Sequence, residues 1–74
     1  MDNKRERLEF EGQVVDSNKG QFKVQLEGSE ATVTATLSGK IRQNSVKILV
    51  GDRVTVEVSE YDTSKGRIVY RHKS

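Results

Sequence analysis

The sequence contains no cysteine and a single histidine, and both shortages exclude common kinds of chemistry. A chain without cysteine can form neither a disulfide framework nor a thiolate metal site. A hydrolytic triad or a metal site would need more than His72, and the Asp and Glu residues are scattered singly along the chain. We therefore expect a protein that is not an enzyme and that carries no metal or other cofactor.

Long apolar runs are also absent. No segment approaches the roughly 18 consecutive apolar residues of a membrane span, and the charged residues 1–7 lack the apolar stretch of a signal peptide. We expect a cytoplasmic protein that does not bind membranes. The 74 residues suffice for one domain. Residues 1–7 are expected to form a flexible arm, and residues 8–73 a single domain.

Five segments alternate between apolar and polar residues, and a period of two predicts strands that bury one face. They are residues 8–15, 21–27, 31–37, 53–59 and 67–71. After the third segment, Ser38 can cap a short helix and Asn44 can end it, with Ile41 on its buried side. Five short strands cannot make a stable open sheet with two bare edges. The order predicts an all-β protein, a five-stranded OB-fold barrel with a short helix between strands 3 and 4. A small SH3-like barrel is the alternative, which the helix disfavours.

Basic residues are concentrated in the second half of the chain. Residues 1–37 contain five Lys and Arg against seven Asp and Glu, a net charge of −2. Residues 38–74 contain eight against four, a net charge of +4. A local excess of this kind favours a face that binds a polyanion over a uniformly solvated surface.

The candidate binding residues form two clusters along the sequence. They are Lys40, Arg42 and Lys47 on or after the predicted helix, and Lys65, Arg67 and Arg71 on the last hairpin. Arg67, Val69 and Arg71 alternate along the last predicted strand, so they should share its outer face, with Ile68 and Tyr70 pointing inward. In OB-folds the central strands and the loop between strands 4 and 5 contact oligonucleotides. Both clusters could then bind one phosphate backbone from a single outer patch.

Aromatic side chains are scarce, and this bears on the kind of nucleic acid that is bound. Proteins that bind single strands stack bases on exposed aromatic rings. Phe10, Phe22 and Tyr70 fall on apolar faces and are predicted to be core, which leaves only Tyr61 exposed in the last loop. Phosphate contacts and shape recognition of structured RNA are therefore favoured.

Three stretches carry a family resemblance. They are residues 38–44 (SGKIRQN) with 47–49 (KIL), residues 51–57 (GDRVTVE) and residues 61–71 (YDTSKGRIVYR). Together they resemble bacterial translation initiation factor one, and the resemblance extends from about residue 8 to residue 73. Ser45 stands where that family usually has an aromatic residue, and Ala31 and Thr36 stand where it often has histidines.

The resemblance implies an OB-fold protein that binds the small ribosomal subunit at the A site. There it would contact decoding-region ribosomal RNA and a neighbouring ribosomal protein, keep tRNA from entering prematurely, and support initiation factors two and three. The free protein is expected to be a monomer. By position, the same six cations would face the RNA, namely Lys40, Arg42 and Lys47 from the helix side and Lys65, Arg67 and Arg71 from the last hairpin.

Two other functions remain open from the residues alone. A general single-strand nucleic-acid chaperone of cold-shock type would need exposed aromatic rings. A protein-interaction module would use an open strand edge.

Overall fold

The computed structural model describes residues 7–72, of which Arg7 is described by its backbone alone. Within this range the chain forms β1 (Arg7–Asn18), β2 (Gln21–Leu26), β3 (Thr32–Leu37), α1 (Gly39–Gln43), β4 (Arg53–Ser59) and β5 (Asp62–His72). The predicted strands and helix are confirmed, although β5 begins at Asp62 rather than at residue 67. The arm predicted for residues 1–7 lies outside the described residues except for Arg7, whose backbone pairs with Ser59.

The strands close into a barrel in the order β1-β2-β3-β5-β4. β1 pairs antiparallel with β4 through its first half and with β2 through its second half. β3 and β5 complete the barrel through a parallel pairing that ends at Leu37 and Ile68. Gly12 lies where β1 passes from one neighbour to the other, and a Cβ there would be 2.5 Å from the Gln25 carbonyl oxygen. This closed order, with the helix between strands 3 and 4, confirms the OB-fold.

The barrel interior holds the apolar side chains that the period of two predicts. The core consists of Val14, Phe22, Val24, Ala35, Ile48, Val54, Val56 and Ile68. α1 follows β3 directly and contributes Ile41, which is also buried. Because most inner positions are apolar, the charged residues on the strands lie mainly on the outer face.

No helix within residues 7–72 has the length and apolar character that crossing a membrane requires.

A β-bulge in β5 overturns the predicted position of Tyr70. Thr55 of β4 pairs with Tyr70, whereas the next residue, Val56, pairs with Ile68, so Val69 is an extra residue in β5. Since paired residues lie on the same face of a sheet, Tyr70 turns outward with Thr55 and is 58% exposed. The prediction that Tyr70 is core is wrong. The prediction that Phe10 is core is also wrong, because Phe10 is 38% exposed.

The bulge also separates Arg67 from Arg71. Arg67 pairs with Glu57 on the outer face, whereas Arg71 pairs with Val54, which is buried. One extra residue resets the alternation of a strand, so a separation of four residues no longer brings two side chains to one face. The prediction that Arg67, Val69 and Arg71 share the outer face is wrong for this reason.

Candidate nucleic-acid interface

The short helix α1 presents two of the predicted cations to solvent. It begins at Ser38, whose side-chain oxygen accepts a hydrogen bond from the Ile41 N–H at 3.3 Å. Its central residue Ile41 is buried against the barrel. Lys40 and Arg42, on either side of Ile41, are therefore left exposed.

The end of α1 is a Schellman turn that leads into the segment carrying Lys47. The N–H groups of Ser45 and Val46 donate back to the carbonyl oxygens of Arg42 and Ile41, each at 3.2 Å. Ser45 takes a left-handed conformation with φ 55° to allow this. Lys47 follows as an exposed residue just before the buried Ile48.

The side chains of Lys40, Arg42 and Lys47 form no hydrogen bond or ion pair with any described residue. These three cations are close together in the sequence, two of them within α1 and the third shortly after it. Exposed cations of this kind can bind phosphate without first breaking an internal ion pair, so this cluster is suited to a polyanion. We call these residues the helix-side cations.

A groove of about 330 Å³ lies between α1 and the end of β5. It combines apolar, aromatic, amide and cationic side chains, namely Ile41, Val46, Val69, Tyr70, Asn44, Lys40 and Arg71. The outward turn of Tyr70 at the bulge is what brings an aromatic ring to this groove. The combination of a ring, an amide and the exposed Lys40 can receive an unstacked base together with its phosphate.

Arg71 is held more tightly than the helix-side cations. Its Nη1 donates to the Lys47 carbonyl oxygen at 3.2 Å, and its Nε lies 3.7 Å from Oδ2 of Asp52. Only 34% of its side chain is exposed. Its guanidinium group therefore contacts the segment between α1 and β4 instead of projecting freely from the barrel.

Lys65 and Arg67 lie on the outer face of the first half of β5. They pair with Thr34 and Thr36 of β3, which are exposed. The Arg67 Nη2 forms an ion pair with Oε1 of Glu57 at 3.0 Å, and about half of the Arg67 side chain stays exposed. Arg67 would have to share its charge between Glu57 and a phosphate.

The six predicted cations therefore fall into two groups instead of a single outer patch. Arg71 contacts the helix-side cluster, whereas Lys65 and Arg67 lie earlier on β5. Arg67 and Arg71 are separated by about 13 Å along an extended strand. The structure brings together four of the six residues and leaves the other two on a neighbouring part of the outer surface.

Comparison with known proteins identifies the family. Residues 1–74 match the family described as Translation initiation factor 1A / IF-1. The chain belongs to this initiation factor family. The sequence resemblance to bacterial initiation factor one is thereby confirmed.

Solved structures agree with this assignment. The chain is similar to translation initiation factor one from the Wolbachia endosymbiont strain TRS of Brugia malayi, with 38% identity over 95% of this chain and 83% of that chain and a TM-score of 0.77. It is also similar to YjeQ from Thermotoga maritima, with 30% identity and a TM-score of 0.74. That match covers 89% of this chain and 23% of YjeQ. The circularly permuted GTPase YloQ, at 22% identity and a TM-score of 0.76, shows the fold alone; that match covers 89% of this chain and 23% of YloQ.

One candidate binding residue of this initiation factor, Lys23 of β2, was not predicted from the sequence. Lys23 pairs with Thr34 of β3, and Thr34 pairs with Lys65 of β5, so the three form a row across neighbouring strands. At about 4.8 Å per strand, Lys23 and Lys65 are roughly 10 Å apart on one outer face. Alternation already places Lys23 outside the barrel, but its alignment with Lys65 depends on the strand register, which the sequence does not state.

Arg53 shows why not every cation of this initiation factor is a candidate. Its Nε donates to Oε2 of Glu27 at 2.6 Å, and its Nη2 lies 3.4 Å from Oε1 of Glu11. The hydrogen bond to Glu27 raises the pKa of the Arg53 guanidinium above its ordinary value. Two carboxylates neutralise this arginine, so its charge is largely unavailable to a polyanion.

His72 is occupied by neighbouring side chains. Its Nε2 lies 2.9 Å from the Thr55 hydroxyl oxygen, and its ring meets the Tyr70 ring edge-on at 4.9 Å. Within residues 7–72 there is no group of three or more His, Cys, Asp or Glu residues arranged to hold a metal ion.

Proposed function

We propose that this initiation factor binds the small ribosomal subunit at the A site through contacts with ribosomal RNA. In this role it keeps tRNA from entering prematurely and supports initiation factors two and three. It acts in the cytoplasm as a monomer when free, and it also touches a neighbouring ribosomal protein. It works by occupying the site and by electrostatic attraction, without chemical turnover.

The observation that carries this proposal is the cluster of helix-side cations beside the groove. Lys40, Arg42 and Lys47 are exposed and form no ion pair within the described part of the chain. Each phosphate that a lysine or arginine neutralises releases counterions, which favours binding at low salt. Membership of an initiation factor family supports the small ribosomal subunit as the source of those phosphates.

Lys65, Arg67 and Lys23 would extend the contact across the outer face of β2, β3 and β5. Lys65 attracts Asp62 electrostatically but forms no hydrogen bond or ion pair with a described side chain, so it should contribute more than Arg67, which is paired with Glu57. Arg71, which is held by the segment between α1 and β4, is not counted among these direct contacts.

The proposal is tested by measuring affinity for purified small subunits over a series of salt concentrations. The variant Lys40→Ala/Arg42→Ala/Lys47→Ala removes three phosphate contacts. Its slope of log affinity against log salt should become shallower by roughly two to three units. At 0.1 M salt the affinity should fall on the order of 100-fold, since each released counterion contributes close to tenfold at that concentration.

Lys19→Asn provides a control for overall charge when it is compared with each single variant. Lys19 is an exposed cation in the turn between β1 and β2 and does not line the groove. Asparagine tolerates its left-handed backbone, which has φ 51°. Affinity should change little in this variant. Equal losses in Lys19→Asn and Lys47→Ala would mean that net charge, and not the proposed site, determines binding.

A single-strand chaperone of cold-shock type is a second candidate, and one observation favours it. Tyr61 and Tyr70 are 75% and 58% exposed, so the chain has more accessible aromatic surface than the sequence suggests. This candidate predicts tight binding to unstructured oligonucleotides and a large loss in Tyr70→Ala. The initiation factor proposal predicts that small subunits bind far more tightly than free oligonucleotides under the same conditions.

A protein-interaction module that adds a strand at an open edge has less support. The barrel is closed, and each of the described strands pairs on both sides. Strand addition would run on backbone hydrogen bonds and would depend weakly on salt. The same salt series therefore also separates this alternative.

A further inference from the structure

The segment between α1 and β4, residues 44–52, connects the helix-side cations to the barrel. Its final residues are anchored to β1, because the Gly51 N–H donates to the Val14 carbonyl at 2.7 Å and the Val14 N–H donates to the Asp52 carbonyl at 2.9 Å. We call residues 44–52 the cation segment, since they include Lys47. Ile48, the next residue, is buried in the core.

Asp52 shapes the second half of the cation segment. Its Oδ2 accepts a hydrogen bond from the Leu49 N–H at 2.9 Å, and its own N–H donates to the Leu49 carbonyl at 3.0 Å. These two bonds close a tight turn that leaves Leu49 exposed. The carboxylate that closes the turn is also the one that faces Arg71, with 3.7 Å between Oδ2 and Nε.

Arg71 joins the two halves of the cation segment. Nη1 donates to the Lys47 carbonyl, and Nε faces Asp52. Nε is buried and has no hydrogen-bond partner among the described residues. A phosphate that bound this guanidinium fully would have to displace the Lys47 carbonyl or enter the buried side of the group. Its geometry suits an internal strut better than an RNA contact.

We infer that Arg71 is a positioning residue which, together with Asp52, holds the cation segment so that Lys47 is presented to the RNA. The inference rests on the proposed function, and it replaces the direct RNA contact that the sequence predicted for Arg71. Arginine suits this role because its planar group can donate in two directions, whereas lysine offers a single point of charge. Although Asp52 is negatively charged, it then favours RNA binding indirectly, because it helps to hold the segment that presents Lys47.

The test compares Arg71→Lys, Arg71→Met and Asp52→Asn for affinity to small subunits over a salt series. A lost charge-assisted hydrogen bond is worth about tenfold, so Arg71→Lys and Arg71→Met should both weaken binding by about that factor. Neither should change the salt slope, because Arg71 neutralises no phosphate and Lys47 still reaches its phosphate once the segment is ordered in the complex. Asp52→Asn should also weaken binding, and the double variant Asp52→Asn/Arg71→Met should lose no more than Arg71→Met alone.

Asp62→Asn is the charge-matched control for Asp52→Asn. Both remove one carboxylate, but Asp62 lies at the start of β5, where it accepts hydrogen bonds from Ser64 and interacts electrostatically with Lys65. General electrostatics predicts that both variants bind RNA slightly more tightly. Weaker binding in Asp52→Asn and not in Asp62→Asn supports the strut.

Two results would overturn the inference. The first is an Arg71→Lys variant that binds like the parent while Arg71→Met makes the slope shallower by roughly 0.7 to 0.9, the signature of one phosphate contact. The second is unchanged affinity in all Arg71 and Asp52 variants. Lys47→Ala, measured in parallel, separates this failure from that of the proposed function. If Lys47→Ala weakens binding, the proposed RNA site stands, and either of the two results above contradicts only the positioning role of Arg71.

A purely structural role for Arg71 is tested by thermal unfolding and by hydrogen exchange. If Arg71 only stabilised the barrel, binding measured well below the unfolding temperature would be unchanged, which would also contradict the inference. The strut predicts faster exchange at the Leu49 N–H in Arg71→Met, with the exchange of core amides in β4 unchanged.

Discussion

The two halves of β5 differ in which side chains face outward, and the extra residue Val69 causes this difference. From Lys65 to Ile68 the strand alternates regularly, with Lys65 and Arg67 outside and Ile68 fully buried. Beyond the bulge at Val69, an aromatic residue is outside and a cation faces the barrel end. A strand whose sequence alternates throughout therefore presents two different surfaces, and the switch between them determines what the cations can do.

The two halves of β5 differ in whether their cations are available to bind a polyanion. Before the bulge, Lys65 is exposed and interacts electrostatically with Asp62, and Arg67 is only partly engaged by Glu57. After the bulge, Arg71 is directed into the cation segment and contacts its backbone. The first half can therefore contribute charge to a polyanion surface, whereas the second half organises the segment that carries another charge.

The largest expected effect compares the two residues on either side of Val69. Ile68→Ala should lower the free energy of unfolding by about 3 kcal/mol, because Ile68 is fully buried and its truncation leaves a cavity. Tyr70→Ala should lower it by less than about 1 kcal/mol, because the exposed ring loses mainly its edge contact with His72. Urea unfolding followed by circular dichroism measures both.

Simple alternation makes the opposite prediction for Tyr70. If no bulge were present and both side chains pointed inward, the two variants would be destabilised to a similar extent. A loss in Tyr70→Ala as large as that in Ile68→Ala would therefore contradict the register of β4 and β5.

The next effect tests how closely the regular half of β5 is packed. A Cβ at Gly66 would lie 2.7 Å from both the Glu57 carbonyl oxygen and a Val58 methyl group. Gly66→Ala should therefore cost about 2 kcal/mol of stability, since backbone atoms must shift to admit it. The matched control is Gly39→Ala in α1, where a Cβ meets no atom within 4 Å. That variant should be neutral or slightly stabilising, because alanine favours a helix over glycine. Equal destabilisation of the two variants would mean that Gly66 is not closely approached.

The fold could be predicted from the sequence because it depends on a repeated signal. Alternation recurs in all five strands, and most inner and outer positions follow from it without knowledge of which strands pair. The helix was predictable for a local reason, since Ser38 and Asn44 are residues that caps prefer and both lie where the helix begins and ends.

The candidate site could be predicted only in part, because it depends on register. A bulge is a property of two paired strands, and nothing in Ile68-Val69-Tyr70 marks Val69 as the extra residue. The inner position of Arg71 and the exposure of Tyr70 follow from that bulge, so both were missed. Lys23 was missed for a related reason, since its alignment with Lys65 needs the pairing of three strands.

The smallest effect concerns the first residue of β5. Asp62 accepts hydrogen bonds from the Ser64 hydroxyl at 2.6 Å and from the Ser64 N–H at 3.1 Å. These bonds hold the pKa of Asp62 below its ordinary value of 3.8, with a smaller contribution from Lys65. A lowered pKa means that the ionised carboxylate stabilises the folded state above the unfolded pKa, and that this contribution is lost as the pH falls through the folded pKa.

Asp62→Asn should therefore unfold at a slightly lower temperature than the parent at pH 7, and the difference should vanish as the pH falls below 3.8. Ser64→Ala separates the hydrogen bond from the charge, because it removes the hydroxyl donor and should raise the pKa of Asp62 towards its ordinary value in an NMR titration. A difference between parent and Asp62→Asn that persists in acid would mean that the side chain acts by shape rather than by charge. In that case charge would not matter at the start of β5. It would still matter after the bulge, where the charged Arg71 ties the strand to the cation segment.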